Sequence, residues 1–340
     1  MPATTSQFDL QVFNPVLTNI ARLYRPSGRI YDQLFVSQPV DKLTDQYITW
    51  DERYWFSNVD NNKVTDQGPL REIDTFWSTD NFTCVDYGLK VGITPREIQQ
   101  SRAVGDLTNL RQRKVSVLMD QMANQREKRA AALLRKTTNS GQLNLGAAAT
   151  TAFATAAAGV IESDWETAKS AIYTKTGILP NVAVIPYQKA VDMANNTALR
   201  DVFKYFINSE GFINLDGGTA AGAMILPRVF HGTRIIIPFG ALAQTGHEGA
   251  TKSLSDVWGT SVRFLYVPEG GTDATQAGQL ATAYSFSHPV LSSDASSNAG
   301  SGPVVSTYRT VDPVKEYVCA EECLAEKVTA PDTGYELTGA

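Results

Sequence analysis

The chain has 340 residues, a formal net charge of -5 and 19% charged residues, which is an ordinary composition for a globular protein. This length allows one large domain or two modest ones with a substantial core. The mild acidity gives the chain no global reason to bind nucleic acid. The sequence predicts neither a membrane-spanning helix nor a secretory signal, because it lacks a long apolar run and the N-terminal pattern of a signal peptide.

The first 44 residues show few periodic signals. Four prolines interrupt them, at Pro2, Pro15, Pro26 and Pro39. A segment of this kind buries little surface of its own. It is therefore expected either to be disordered or to lie on another surface.

Residues 45–80 predict a long β-hairpin. The run QYITWDERYWFSN is rich in aromatic and β-branched residues, and LREIDTFWSTDN returns after the polar turn VDNNKVTDQGP. An isolated two-stranded hairpin is marginally stable in water, so its aromatic side chains need a partner surface. The residues predicted to contact another subunit are Tyr47, Trp50, Arg53, Tyr54, Trp55, Lys63, Arg71, Phe76 and Trp77.

A half-buried strand and a long helix follow the hairpin. Residues 83–94 alternate, with Val85, Tyr87, Leu89, Val91 and Ile93 predicted on one face. Residues 106–136 predict a helix about 45 Å long, with Asp106 as its N-cap. The helix carries eight basic and three acidic residues. Two interpretations stay open: a solvated or salt-bridged face that contacts neighbouring chains, or a contact with a polyanion or an acidic partner.

The remaining chain predicts an α+β arrangement of short elements. Residues 137–160 are low in complexity and predict a loop. Ser163 and Glu166 form a capping box for a second helix that Gly177 ends, with one apolar face at Ile161, Trp165, Ala168 and Ile172. The segments NVAVIP, RIIIPFG, VRFLYVP and ATAYSFSHPV predict short strands, and Pro186 begins the helix PYQKAVDMANN. The run VVSTYRTVDPVKEYVCAEECLAEKV is compatible with a strand or a helix.

Residues that carry chemistry are sparse. Three cysteines favour a reducing compartment over a disulfide framework: Cys84, Cys319 and Cys323. Three separated histidines have no motif around them: His231, His247 and His288. The neighbouring acids at 51–52 and 321–322 are a poor glycosidase pair, because adjacent strand residues point to opposite faces. The sequence therefore predicts no catalytic residue, no metal site, no cofactor and no enzyme activity, with a soluble acid–base hydrolase as a remote alternative.

The order of these parts resembles the major capsid proteins of tailed bacteriophages, the Hong Kong 97 type capsid fold shared with encapsulin shells. The resemblance extends over the whole chain and rests on architecture. It implies an N-terminal arm at 1–44, an extended hairpin loop over a neighbouring subunit at 45–80, and a peripheral domain at 81–177 with a spine helix at 106–136. It further implies an axial domain at 178–303, and a return strand of the peripheral domain with a C-terminal tail at 304–340. Under this assignment the C-terminal run is a long strand.

The resemblance also implies a function. The chain is expected to assemble with itself into hexamers and pentamers of an icosahedral head around double-stranded DNA, without sequence-specific DNA binding and without a membrane. Assembly in the host bacterial cytoplasm, a location in the virion, a separate scaffolding protein, a portal and a decoration protein are further implications. An encapsulin-type compartment is the alternative. Lys63 near the hairpin tip is a solvated turn lysine or, as in some family members, the donor of a covalent crosslink to a neighbour.

Overall fold

The computed structural model describes residues 12–24, 28–49, 78–103, 107–137, 141–203, 211–215, 225–240, 242–245, 253–268, 279–289, 302–311 and 314–340. Its helices are α1 (Pro15–Leu23), α2 (Tyr31–Leu34), α3 (Pro95–Ala103), α4 (Leu107–Leu133), α5 (Ala158–Thr176), α6 (Tyr187–Asn195) and α7 (Thr197–Phe203). Its first strands are β1 (Val12–Phe13), β2 (Val36–Pro39), β3 (Thr44–Thr49), β4 (Ser78–Thr83), β5 (Val85–Ile93), β6 (Leu145–Ala148), β7 (Val182–Val184), β8 (Phe212–Asn214) and β9 (Ile225–Pro227). The later strands are β10 (Val229–Phe230), β11 (Thr233–Ile236), β12 (Leu242–Thr245), β13 (Ser253–Asp256), β14 (Val262–Leu265), β15 (Ala283–His288), β16 (Val304–Val311), β17 (Val314–Val328) and β18 (Tyr335–Thr338). The α+β class is confirmed.

The first of two six-stranded sheets is organised around β17, a strand of 15 residues. The strand order is β1-β16-β17-β15-β2, and β5 pairs with β17 as well. The C-terminal run is therefore β structure, as predicted. It does not form one continuous strand, however, because β16 and β17 pair antiparallel from Val304↔Glu321 to Val311↔Val314. The chain therefore reverses direction between Val311 and Val314.

The predicted strand at 83–94 is confirmed as β5, but its apolar face is only partly covered. Ile93 is buried, whereas Val85 and Leu89 are 50% and 39% exposed. The long helix α4 contributes apolar side chains at the Ile93 end, where Ile93 joins Val115 and Leu118 in one hydrophobic cluster, whereas at Tyr87 it contributes the charged Arg129. The alternation therefore predicts the strand correctly and overestimates its burial.

The predicted spine helix is confirmed as α4, which has 27 residues and ends at Leu133. Asp106, the predicted N-cap, lies outside the described residues. The helix packs across the first sheet through Val115, Leu118, Met119 and Met122. It therefore covers one face of β17 and β5.

The second six-stranded sheet has the order β10-β11-β7-β14-β18-β6, and α5 packs against it. The fully buried Trp165 of α5 meets the rings of Phe230 and Phe264 edge to face, with centroids 5.0 Å and 4.7 Å apart. The Trp165 indole donates a hydrogen bond to Thr233 Oγ1 at 2.9 Å. The predicted apolar face of this helix is confirmed.

The predicted start of this helix is wrong, while its end is confirmed. The helix begins at Ala158 after an Ala157 cap without a side-chain hydrogen bond, so Ser163 lies inside the helix. Gly177 ends it in the left-handed conformation, with φ of 70°. Glycine adopts this conformation at little cost, which makes it a reliable stop signal.

The prediction that residues 137–160 form a loop is wrong for part of this segment. It contains β6, which pairs parallel with β18 at the edge of the second sheet. Phe153 is fully buried and Ala156 is 4% exposed, so the segment also contributes to the core. A Cβ atom at Gly146 would lie 2.5 Å from the Glu336 carbonyl oxygen, so glycine is needed for the close approach of the two strands. Small residues give no hydrophobic period, and this strand has no sequence signal for that reason.

The described part of residues 1–44 lies on the chain's own surface. Strand β1 pairs with β16, and β2 pairs parallel with β15. Helix α1 begins at Pro15 after Asn14, whose Oδ1 accepts a hydrogen bond from the Leu17 amide at 3.1 Å. The described residues of this segment therefore pack on their own chain, and the assignment of 1–44 as an N-terminal arm stays a prediction.

Sheet membership crosses the predicted segment boundaries. Helix α5, from the predicted peripheral segment, packs on the second sheet, and β15, from the predicted axial segment, pairs within the first. Each of the two sheets is therefore built from parts of the chain that the predicted boundaries separate. The division into five segments stays a prediction.

Candidate self-assembly surface

The described strands form the base of the predicted hairpin. Strands β3 and β4 pair antiparallel from Thr44↔Thr83 to Thr49↔Ser78. The described part of the hairpin therefore ends at Thr49 in β3 and begins again at Ser78 in β4. Eight of the nine predicted contact residues lie between these points and outside the described residues: Trp50, Arg53, Tyr54, Trp55, Lys63, Arg71, Phe76 and Trp77.

The ninth predicted contact residue, Tyr47, is used within its own chain. Its side chain is 8% exposed, and its ring lies 5.6 Å from that of Phe286 in β15. Its hydroxyl donates a hydrogen bond to Asp80 Oδ2 at 2.9 Å across the hairpin. Burial and the neighbouring Asp80 carboxylate raise the pKa of Tyr47 well above its usual value. Tyr47 thus fixes the hairpin base to the sheet.

Three further aromatic residues complete this attachment. The Phe82 ring stacks on Phe286 with centroids 4.3 Å apart, and the rings of Tyr284 and Phe286 are nearly parallel with centroids 6.0 Å apart. We call Tyr47, Phe82, Tyr284 and Phe286 the aromatic anchor. The strand motif ATAYSFSHPV contains two of these residues at alternate positions, which is the sequence signal for this half of the contact. The partner strand is about 200 residues away in the sequence, and no local pattern connects the two.

The basic residues of α4 form ion pairs with acidic residues of the same chain. Arg111 Nε lies 2.8 Å from Glu316 Oε1, and Arg129 Nη2 lies 2.8 Å from Glu326 Oε1. We call the three pairs between α4 and β17 the ion-pair ladder: Arg111–Glu316, Arg126–Glu322 and Arg129–Glu326. Lys114 pairs with Glu97 of α3 at 3.2 Å. Much of the charge that indicated a neighbouring chain or a polyanion is therefore neutralised within the subunit.

The ladder predicts a pH dependence that Glu326 controls. Burial raises the pKa of the Glu326 carboxyl, against the lowering effect of Arg129. A raised folded pKa gives a stabilising contribution that is complete below the unfolded pKa and is lost as the pH rises through the folded pKa. Glu326→Gln resembles the protonated group, so the stability of the variant relative to the wild type should increase as the pH rises above the ordinary glutamate pKa of about 4. Urea denaturation at a series of pH values measures this difference, and a constant difference would contradict the assignment.

A buried carboxylate joins three parts of the chain, and sequence reasoning missed it. Glu127 of α4 is 0% exposed. Its Oε1 accepts hydrogen bonds from the amides of Ile30 and Tyr31 at 2.7 Å and 2.8 Å. Its Oε2 accepts one from the Trp258 indole at 2.8 Å. We call this arrangement the Glu127 junction, because it links the N-terminal segment, the spine helix and the turn before β14.

The described residues that carry chemistry are dispersed. Within the described ranges, no group of three or more His, Cys, Asp or Glu side chains is placed to bind a metal ion, and no helix has the length and apolarity needed to cross a membrane. His231 lies between Glu162 and Glu166, with nitrogen–oxygen distances of 4.0 Å and 3.9 Å. Glu322 belongs to the ion-pair ladder, while the acids at 51–52 and His247 lie outside the described residues.

Comparisons with known proteins identify the fold. No protein-family model matches the chain, and no curated protein matches its sequence. A solved structure of a phage-related protein from Bordetella bronchiseptica RB50 has a TM-score of 0.68 at 20% identity, over 97% of this chain and 98% of the other. The capsid of cyanophage P-SCSP1u matches with a TM-score of 0.54 at 11% identity, over 92% and 88%. A structure from Gordonia phage Cozz matches with a TM-score of 0.50 at 13% identity, over 93% and 89%.

These matches extend over nearly the whole of both chains, so the chain has a viral capsid fold. It is the Hong Kong 97 type fold of tailed-phage major capsid proteins, with α4 as the spine helix and β3–β4 as the base of the extended loop. The resemblance given by the order of the sequence elements is thereby confirmed at the level of the fold.

Proposed function

We propose that this chain is a major capsid protein that assembles into hexamers and pentamers of an icosahedral head enclosing double-stranded DNA. The observation that carries the proposal is the fold match to a phage capsid over 92% of the chain. The exposed apolar residues Val85, Leu89, Val311 and Val314 on the first sheet add surface that a neighbouring subunit can bury. A closed lattice repeats each contact many times, so individually weak contacts are sufficient.

Several partners follow from this proposal. A separate scaffolding protein, a portal and a decoration protein would act with the chain during assembly in the bacterial cytoplasm. Packaged DNA would contact the shell without sequence-specific binding. The ion-pair ladder supports this expectation, because it uses basic side chains of the spine helix within the subunit. A structural role also agrees with the wide separation of the described His, Cys, Asp and Glu side chains. That the chain is not an enzyme stays a prediction.

Imaging of the overexpressed chain tests the proposal. Negative-stain microscopy is expected to show shells, tubes or isolated capsomers. A stable monomer at high concentration would contradict self-assembly. Cryo-electron microscopy of particles from an infected host then separates two kinds of shell. DNA and a tail vertex indicate a phage head, whereas protein cargo without DNA indicates an encapsulin-type compartment.

The aromatic residues of the hairpin provide a direct prediction. We expect the combined substitution Trp50→Ala, Trp55→Ala and Trp77→Ala to leave a folded subunit that fails to assemble. Apolar area buried against a neighbour contributes about 25 cal/mol per Å², and tryptophan has the largest side chain available for this contact. Circular dichroism reports the fold, and sedimentation velocity reports assembly. Normal shells from the triple variant would exclude the hairpin as a subunit contact.

Lys63 allows a second check of the hairpin. Denaturing gel electrophoresis of assembled shells shows ladders of linked subunits if Lys63 forms a covalent crosslink. Monomer-sized bands alone identify it as an ordinary turn lysine.

A further inference from the structure

Two of the three cysteines lie side by side beneath the base of the hairpin. Cys84 is the single residue between β4 and β5, and Cys323 lies in β17. The side chains are 4% and 2% exposed and belong to one hydrophobic cluster with the aromatic anchor. Both cysteines are free, and both side chains are part of this cluster.

The strand register explains this contact. Cys323 pairs with Asp86 across β17 and β5, and Cys84 precedes Asp86 by two residues. Residues two apart in an extended chain point to the same side, so both thiols face the hairpin base. Cys319 lies on the same side of β17 but four residues away, about 13 Å along the strand. The sheet therefore brings together one pair of thiols and keeps the third out of reach.

The surroundings keep this pair reduced in the resting subunit. Burial raises the pKa of Cys323 to about 12, and the adjacent Asp86 carboxylate contributes to the increase. Burial raises the pKa of Cys84 as well, and its thiol donates a hydrogen bond to the Phe286 carbonyl oxygen at 3.8 Å. The thiolate is the species that attacks a disulfide, so both groups react slowly at neutral pH.

We propose that Cys84 and Cys323 form a redox-dependent latch, in which a small disulfide oxidant converts the two thiols into an intrachain disulfide that fastens the hairpin base to β17. One thiolate attacks the oxidant RS–SR and releases RSH, giving a mixed disulfide. The second thiolate attacks that mixed disulfide and releases another RSH. The two protein S–H bonds and the oxidant S–S bond are broken, the protein S–S bond forms, and the two protons leave on RSH.

The disulfide would restrain the chain at Cys84, between β4 and β5. Cys84 marks the point where the chain passes from the hairpin to the sheet. A covalent bond there would hold that point on β17 independently of the aromatic anchor. It would also close a loop of about 240 residues in the unfolded chain, which reduces the entropy of that state. The proposal concerns the isolated subunit and does not depend on the shell function.

Oxidation of the purified, unassembled chain tests the latch. The chain is incubated with excess oxidised glutathione in mildly alkaline buffer, alkylated, digested without reduction and analysed by mass spectrometry. We expect one linked peptide pair that contains Cys84 and Cys323, with Cys319 alkylated. The melting temperature should rise on oxidation and return after treatment with dithiothreitol. Three alkylated cysteines, glutathione on single cysteines or a linked peptide containing Cys319 would each overturn the proposal.

Matched variants identify the residues that act. Cys319→Ser should form the bond as the wild type does, whereas Cys84→Ser and Cys323→Ser should show no change in melting temperature on oxidation. Asp86→Asn removes the carboxylate that suppresses the Cys323 thiolate, so the disulfide should form roughly threefold faster for each unit by which the pKa falls. An unchanged rate in Asp86→Asn, or bond formation in Cys84→Ser, would contradict the assigned roles.

Discussion

Glu127→Ala should lower the free energy of unfolding of the subunit by about 3–5 kcal/mol, because three buried donors lose their acceptor. The Ile30 and Tyr31 amides and the Trp258 indole all point at this carboxylate. A buried donor without an acceptor costs about 1–3 kcal/mol. The cost of the three unpaired donors is partly offset. Burial of the Glu127 carboxylate is itself unfavourable, as its raised pKa indicates, and the variant no longer carries this desolvated charge.

Urea denaturation of the unassembled subunit measures this effect. Gln125→Ala, at an exposed position of the same helix, is the matched control and should change stability by less than about 0.5 kcal/mol. Glu127→Gln should give an intermediate loss, because its amide oxygen still accepts from the two backbone amides while its NH₂ group faces the Trp258 indole. A Glu127→Ala variant as stable as its control would show that the junction contributes nothing to stability.

Glu322→Ala should have an effect of similar size, about 3–5 kcal/mol, for a different physical reason. The Glu322 side chain is 1% exposed, and the paired Arg126 side chain is 18% exposed. Arg129 Nη2 lies 3.7 Å from the same carboxylate. Removal of the carboxylate leaves the Arg126 charge inside the contact between α4 and β17 without its partner, and an uncompensated buried charge is strongly unfavourable.

An exposed ion pair in the same chain is the control for this prediction. Asp45 lies 3.2 Å from Lys42, and the two side chains are 46% and 71% exposed. Asp45→Ala should therefore change stability by less than about 1 kcal/mol. Combining Glu322→Met with Arg126→Met should recover part of the loss, because apolar side chains of similar volume can replace a buried pair. A double variant that is much less stable than Glu322→Ala would reject the explanation by buried charge.

Sequence reasoning was most reliable where one element carries its own periodic signal. Trp165 and its helical neighbours, Gly177 as a helix stop, and the alternating strand β5 are local patterns that tertiary packing did not override. It failed at β6, where small residues leave no period. It also placed the start of α5 at a capping box that the structure does not use, because the preceding residues Ala158–Glu162 extend the helix.

The candidate assembly surface was predictable only in outline. The composition of the hairpin indicated a protruding ribbon, and its base is present in β3 and β4. The ion-pair ladder and the Glu127 junction join residues about 100–200 positions apart, so no local pattern reveals them. The basic face of α4 consequently looked available for a partner, although Arg111, Arg126 and Arg129 contact β17 of the same chain.

The position of β18 between β14 and β6 has a consequence for synthesis of the protein. Strand β6 ends at residue 148 and its partner β18 begins at residue 335. At about 5–20 residues per second, a ribosome needs roughly 10–40 s to cover the interval. During this time the second sheet is incomplete, with strand edges that can pair with other chains. Such long-range strand pairing folds slowly, so the second sheet is completed only after β18 has been synthesised.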